Sequence, residues 1–224
     1  MNIASYIDHT ILKPTATIKD IEQLCSEAVE FGFAAVCVPP PFIKRVNVIL
    51  APTTIKTVTV IGFPFGYSAT EAKIAETILA IVDGADELDM VINLVALRMN
   101  DWDFLAKEVR LLTEVVHNKG KIIKLIIESG ILTDKEIIQC CQVLGPLGID
   151  FMKTSTGYAE NGAGVNAVTL MRQYLPAGVQ IKASGGIKTY TFAKQLIEAG
   201  ANRLGCSASV AIVKADPGFI TSTY

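Results

Sequence analysis

Hydrophobic positions along this chain switch repeatedly between two periods. Short apolar runs rich in Ile, Val and Leu alternate with longer stretches whose apolar residues recur at helical spacing. Strand signals fall at 5–11, 33–38, 57–61, 87–92 and 121–127, in a run that closes at Lys153, and at 179–183 and 202–204. Helical signals follow them at about 17–31, from the prolines to about 50, and at about 69–82, 101–117, 133–144, 165–174, 190–199 and 207–214. Thr17 and Asp20 read as a helix start, and Gly32 as a helix stop. Pro39, Pro40 and Pro41 break the second strand, and the segment from Gly62 to Gly66 is a loop after the third.

The pattern is eight strand–helix units in strict alternation, which implies a parallel sheet with right-handed crossovers. Units of about 28 residues fit a closed (β/α)8 TIM barrel, in the α/β class. An open doubly wound sheet is the alternative. No linker or shift in composition divides the chain, so residues 1–215 are expected to form one barrel domain, and 216–224 a tail without helical period.

Composition agrees with this picture. Half of the 224 residues are hydrophobic and 19% are charged, with few aromatics, as suits a buried parallel sheet. The net charge of −2 and the lack of any basic patch argue against nucleic acid and anionic membranes as partners. No signal peptide or membrane-spanning apolar run is seen. Cys25, Cys37, Cys140, Cys141 and Cys206 are scattered, without CxxC or zinc spacing, and read as reduced thiols of a cytoplasmic protein.

The chemistry lies in charges on strands. Helices cover the outside of such a barrel, so polar strand residues must point into its lumen. By alternation, Leu88, Met90 and Ile92 face out while Asp89 faces in. Lys124 and Glu128 face in from the fifth strand, and Lys182 from the seventh. Ile149, Phe151 and Lys153 share the inward face of the sixth, which ends at the polar turn Thr154-Ser155-Thr156-Gly157. Asp89, Lys124, Glu128, Lys153 and Lys182 should therefore converge. A desolvated lysine beside a second cation loses its proton near neutrality and becomes a nucleophile. Lys153 with Lys182 next to it fits that role, and Asp89 could relay a proton. A structural ion-pair network is the other reading. Separately, Gly185-Gly186 and Gly205-Cys206-Ser207 follow the last two strands, where barrel enzymes often hold a phosphate on backbone N–H groups and a helix N-terminus.

Several motifs resemble one family from Asp8 to Ser207. They are Asp8-His9-Thr10-Ile11-Leu12-Lys13-Pro14, Val36-Cys37-Val38-Pro39, Gly62-Phe63-Pro64, Glu87-Leu88-Asp89-Met90-Val91-Ile92-Asn93, Phe151-Met152-Lys153-Thr154-Ser155-Thr156-Gly157 and Lys182-Ala183-Ser184-Gly185-Gly186-Ile187. The chain resembles the deoxyribose-phosphate aldolases, class I aldolases with a (β/α)8 fold. That resemblance implies reversible cleavage of 2-deoxyribose 5-phosphate to glyceraldehyde 3-phosphate and acetaldehyde, with neither metal nor cofactor. It implies Lys153 as the Schiff-base lysine, Lys182 as the group that keeps it deprotonated, and Asp89 in proton transfer. Asp8 matches an acid that contacts substrate hydroxyls. The expected substrate-contacting set is Asp8, Cys37, Lys124, Thr154, Gly185, Gly186 and Ser207, with Cys37 open to a packing role instead.

The chain departs from the family pattern at Tyr158 to Gly164, at Leu94-Val95 and at Ala208-Ser209. Tyr224 matches a terminal tyrosine that some members carry on a mobile tail that reaches the site; a frayed surface end is the equal alternative. Another Schiff-base phosphosugar aldolase, a transaldolase, or a non-catalytic phosphosugar-binding barrel are the alternatives. Pairing through outer helices makes a homodimer the expected assembly.

Overall fold

The computed structural model describes residues 2–218. Among them, eight parallel strands close into a barrel in sequence order, each bonded to the next and β8 to β1. The strands are β1 (Ile7–Thr10), β2 (Ala35–Val38), β3 (Lys56–Ile61), β4 (Glu87–Val91), β5 (Ile122–Ile126), β6 (Phe151–Lys153), β7 (Gln180–Ser184) and β8 (Arg203–Cys206). The helices are α1 (Ile18–Phe31), α2 (Ile43–Leu50), α3 (Thr70–Val82), α4 (Leu94–Arg98), α5 (Trp102–His117), α6 (Asp134–Leu144), α7 (Val165–Tyr174), α8 (Tyr190–Glu198) and α9 (Ser209–Lys214). The closed barrel is the expected one, and the open sheet is excluded. No helix among the described residues is long and apolar enough to cross a membrane.

Local chemistry sets the element ends. Thr17 and Asp20 form a reciprocal capping box at α1, and Thr133 and Glu136 form another at α6. Gly32 ends α1 with φ +68°, a left-handed geometry that glycine adopts without steric cost. Three expectations shift. The first strand begins only at Ile7, because Ile3–Tyr6 winds into a 3-10 turn capped by the Asn2 side chain. A short helix, α4, follows β4, where Asn93 accepts hydrogen bonds from the N–H groups of Val95 and Ala96. The sixth strand holds only three residues. Asp150 turns away to take N–H bonds from Ile123 and His117, so Ile149 joins the core under the helices instead of the inward face.

Two apolar regions hold the barrel. The larger lies between strands and helices and includes Leu88, Met90, Ile123, Leu125, Met152 and Ile181. The smaller fills one side of the lumen with Ala35, Cys37, Val58 and Val60 from β2 and β3. Charged residues take much of the rest of the lumen, with the Phe151 ring 5.8 Å from Lys124 Nζ. Of the tail, 216–218 fall within the described residues, and Tyr224 lies outside them.

Candidate active site

Strand register brings the charged residues together. Asp89 pairs with Lys124 across β4 and β5, and Lys153 with Lys182 across β6 and β7. Asp89 is fully buried with three ammonium groups around its carboxylate. Lys153 Nζ lies 2.7 Å from Oδ2, Lys182 Nζ 2.6 Å from the same oxygen, and Lys124 Nζ 3.0 Å from Oδ1. Beneath them, Lys124 also meets Glu87, Lys182 meets Asp8, and Arg203 bridges Asp8 and Glu87. The cluster thus holds four cations (Lys124, Lys153, Lys182, Arg203) against three carboxylates (Asp8, Glu87, Asp89).

A surplus positive charge among these buried groups is costly, so one cation is under pressure to release its proton. Burial does most to push the Lys153 pKa down, and the Lys182 ammonium adds to it, with Asp89 resisting. Burial opposes the charge on Lys182 too, but Asp8 and Asp89 outweigh it and raise that pKa. Although burial works against ionisation of the carboxyls, the surrounding cations hold Asp89 well below its usual range and Asp8 at about 2. The two neighbouring lysines are thus driven in opposite directions.

A cavity of about 550 Å³ opens over the strands' C-terminal ends. Of the three lumen lysines, Lys153 alone lines it; Lys124 and Lys182 stay beneath. Gly185, Gly186, Gly205 and Ser207 form another part of its wall, with Lys13 and Lys188 also on the lining. Gly185 and Gly186 take φ of +90° and +75°, which a side chain would strain. A Cβ on Gly205 would come 2.8 Å from Ser184 Cβ and 3.2 Å from Lys182 Cε, so glycine here leaves room for the lysine. Tyr158 crosses from the loop after β6, and its hydroxyl donates to the Leu12 carbonyl at 2.9 Å. Its ring meets Phe63 edge-on.

Lys153, Gly185, Gly186 and Ser207 therefore share one cavity, with Asp89, Lys182 and Lys124 below the first of them. Other expected contacts fall elsewhere. Asp8 is fully buried and engaged with Lys182 and Arg203, deeper than a group that touches substrate hydroxyls. Cys37 packs against the apolar side of the lumen, and its thiol pKa is raised, chiefly by burial. Thr154 is buried between β6 and β7; its hydroxyl donates to the Ser184 carbonyl and accepts from the Ser184 N–H. Lys124 is sealed by its two carboxylates. Glu128 makes no ion pair with the cluster: it sits past the end of β5 with φ +54°, and its carboxylate accepts from the Thr156 hydroxyl and N–H, while burial raises its pKa against the pull of those bonds and of Lys153. Sequence reasoning missed Arg203, Lys13, Lys188 and Tyr158. A charged residue opening the last strand was the available signal for Arg203.

A parallel barrel with a cavity over its strand ends, and a buried lysine opening onto it, is the build of a barrel enzyme. A model described as DeoC/LacD family aldolase matches residues 2–216. A deoxyribose-phosphate aldolase of Thermococcus gammatolerans is 48% identical over 216 residues, which cover 96% of either chain. One from Streptococcus gordonii is 45% identical, over 96% of this chain and 97% of its own. The tetrameric deoxyribose phosphate aldolase of Aeropyrum pernix superposes with a TM-score of 0.90 at 30% identity, over 97% of this chain and 92% of its own. The chain belongs to the DeoC/LacD aldolase family.

Proposed function

We propose that this chain is a class I aldolase that reversibly cleaves 2-deoxy-D-ribose 5-phosphate to D-glyceraldehyde 3-phosphate and acetaldehyde. The observation that carries the mechanism is that Lys153 alone of the lumen lysines reaches the cavity, and that its pKa is depressed where that of Lys182 is raised. The Lys153 amine attacks the C1 carbonyl of the open-chain sugar, and water leaves to give a protonated imine. A base takes the C3 hydroxyl proton. The C2–C3 bond breaks, its electron pair flows toward the iminium, and glyceraldehyde 3-phosphate departs from the enamine. A proton then returns to C2, and hydrolysis frees acetaldehyde and the amine.

In this reading Asp89 and Lys182 work as a pair under the nucleophile. Lys182 keeps the site positive enough to hold Lys153 unprotonated, and Asp89 lies within hydrogen-bond distance of both to pass protons. The phosphate rests on the wall formed by Gly185, Gly186 and Ser207, with Lys13 and Lys188 supplying positive charge. Residues 1–215 serve as the catalytic domain and 216–224 as its tail. The protein works as a homodimer in the cytoplasm, which suits its five free, buried thiols.

Borohydride reduction with 2-deoxyribose 5-phosphate, followed by peptide mass, tests the chemistry. A reduced two-carbon or sugar adduct on Lys153 is expected. An adduct on Lys182, or none on folded protein, overturns the assignment.

A further inference from the structure

The motif Asp8-His9-Thr10 sends Asp8 into the lumen and His9 to the other side of the strand, where the mechanism makes no use of it. His9 is nonetheless 3% exposed and bonded at both ring nitrogens. Nε2 lies 2.7 Å from Glu27 Oε2 on α1, and Nδ1 lies 2.9 Å from the hydroxyl of Ser209, the first residue of α9. Ser209 is fully buried, and its hydroxyl donates to the carbonyl of Cys206, the last residue of β8, at 2.9 Å. Phe33 packs on the ring at 5.0 Å between centroids. With a proton on Nε2 for Glu27, Nδ1 is free to accept from the Ser209 hydroxyl, and the ring also lies within hydrogen-bonding reach of the Cys206 backbone.

This ring joins β1, α1 and the β8–α9 turn. The two residues that flank Cys206 are Gly205 and Ser207, both on the cavity wall. Ser207 also faces an outer groove of about 340 Å³ that His9 and Glu27 line, so this turn is a thin partition with His9 on its far side. The helix after the turn has only six residues, and side-chain ties must fix the turn's geometry.

We infer that His9 is a positioning residue for the phosphate end of the cavity: through Ser209 it holds the Gly205–Ser207 turn in place, while Glu27 orients the ring. The inference rests on the phosphate seat proposed above. It also specifies which ring nitrogen matters. Asparagine mimics Nδ1 and keeps the tie to Ser209, whereas glutamine mimics Nε2 and keeps only Glu27.

The test compares kinetics on 2-deoxyribose 5-phosphate and on unphosphorylated 2-deoxyribose for wild type, His9→Gln, His9→Asn and Ser209→Ala, with thermal melts as a fold control. His9→Gln and Ser209→Ala are expected to raise KM for the phosphate ester about fivefold, the scale of one lost hydrogen bond. Their kcat, and kcat/KM on the unphosphorylated sugar, stay at the wild-type level, and His9→Asn behaves as wild type. If a folded Ser209→Ala or His9→Gln keeps the wild-type preference for the ester, or loses activity equally on both sugars, the inference is overturned while the phosphate seat stands. A wild-type enzyme with no preference for the ester overturns the phosphate seat, and this inference with it.

Discussion

Two places in this molecule bury lysine, and they do so differently. Between α3 and α5, outside the barrel, Lys73 is wholly enclosed and donates to Glu108 and to the Val91 carbonyl, each at 2.9 Å. Burial lowers its pKa while Glu108 opposes the shift. It pairs with one carboxylate, and Glu76 on the same helix adds a second negative charge nearby. Inside the barrel, three lysines and Arg203 share three carboxylates, and one lysine opens onto a cavity. Burial alone therefore does not distinguish the lumen lysines from Lys73. Lys73 is a neutral pair that ties a helix to the end of β4. The lumen cluster carries surplus charge, and Lys153 is where it can be relieved.

Exchanging each lysine for methionine should separate the two roles most sharply. Lys153→Met is expected to abolish turnover and leave the melting temperature at or above wild type, because Asp89 keeps Lys124 and Lys182 as partners. Lys73→Met is expected to cost about 3–5 kcal/mol, since Glu108 is left buried without its partner. Its folded fraction should keep activity within severalfold of wild type. Parallel kinetics and denaturant unfolding on the two variants decide this, and an inactive but fully stable Lys73→Met would erase the contrast.

A smaller effect is expected from Lys182→Met. Removing the neighbouring cation lets the Lys153 pKa rise, so less of its amine is free at a given pH. The acid limb of the kcat/KM profile should then move to higher pH by about one unit. An unmoved limb with merely reduced kcat would limit Lys182 to holding Asp8 and Asp89. The smallest change is at the cavity's edge. Tyr158→Phe loses the bond to the Leu12 carbonyl but keeps the ring against Phe63. It should raise KM about two- to threefold with kcat unchanged, as for one exposed hydrogen bond.

Much of this was readable before any coordinates. Alternation of period two along β4, β5 and β7 placed Asp89, Lys124 and Lys182 in the lumen, because a closed barrel leaves a polar strand residue only one place to go. The same rule failed at Ile149, where Asp150 found bonding partners in Ile123 and His117 and turned the chain. It failed again at Glu128, where a left-handed backbone re-aimed the side chain toward Thr156. Both lie at strand ends, where the ladder no longer dictates direction.

By itself, the sequence determined the class of fold, the order of its elements and the convergence of Asp89, Lys124, Lys153 and Lys182, since these follow from periodicity and the cost of burying polar groups. Only the tertiary structure decided which lysine meets the cavity, that Asp8 is spent on Lys182 and Arg203, and that Cys37 and Thr154 pack away from the cavity. It also decided that His9 reaches Ser209, 200 residues along the chain. Those outcomes depend on how strands are staggered around the barrel and on contacts between distant segments, and no local pattern encodes a stagger.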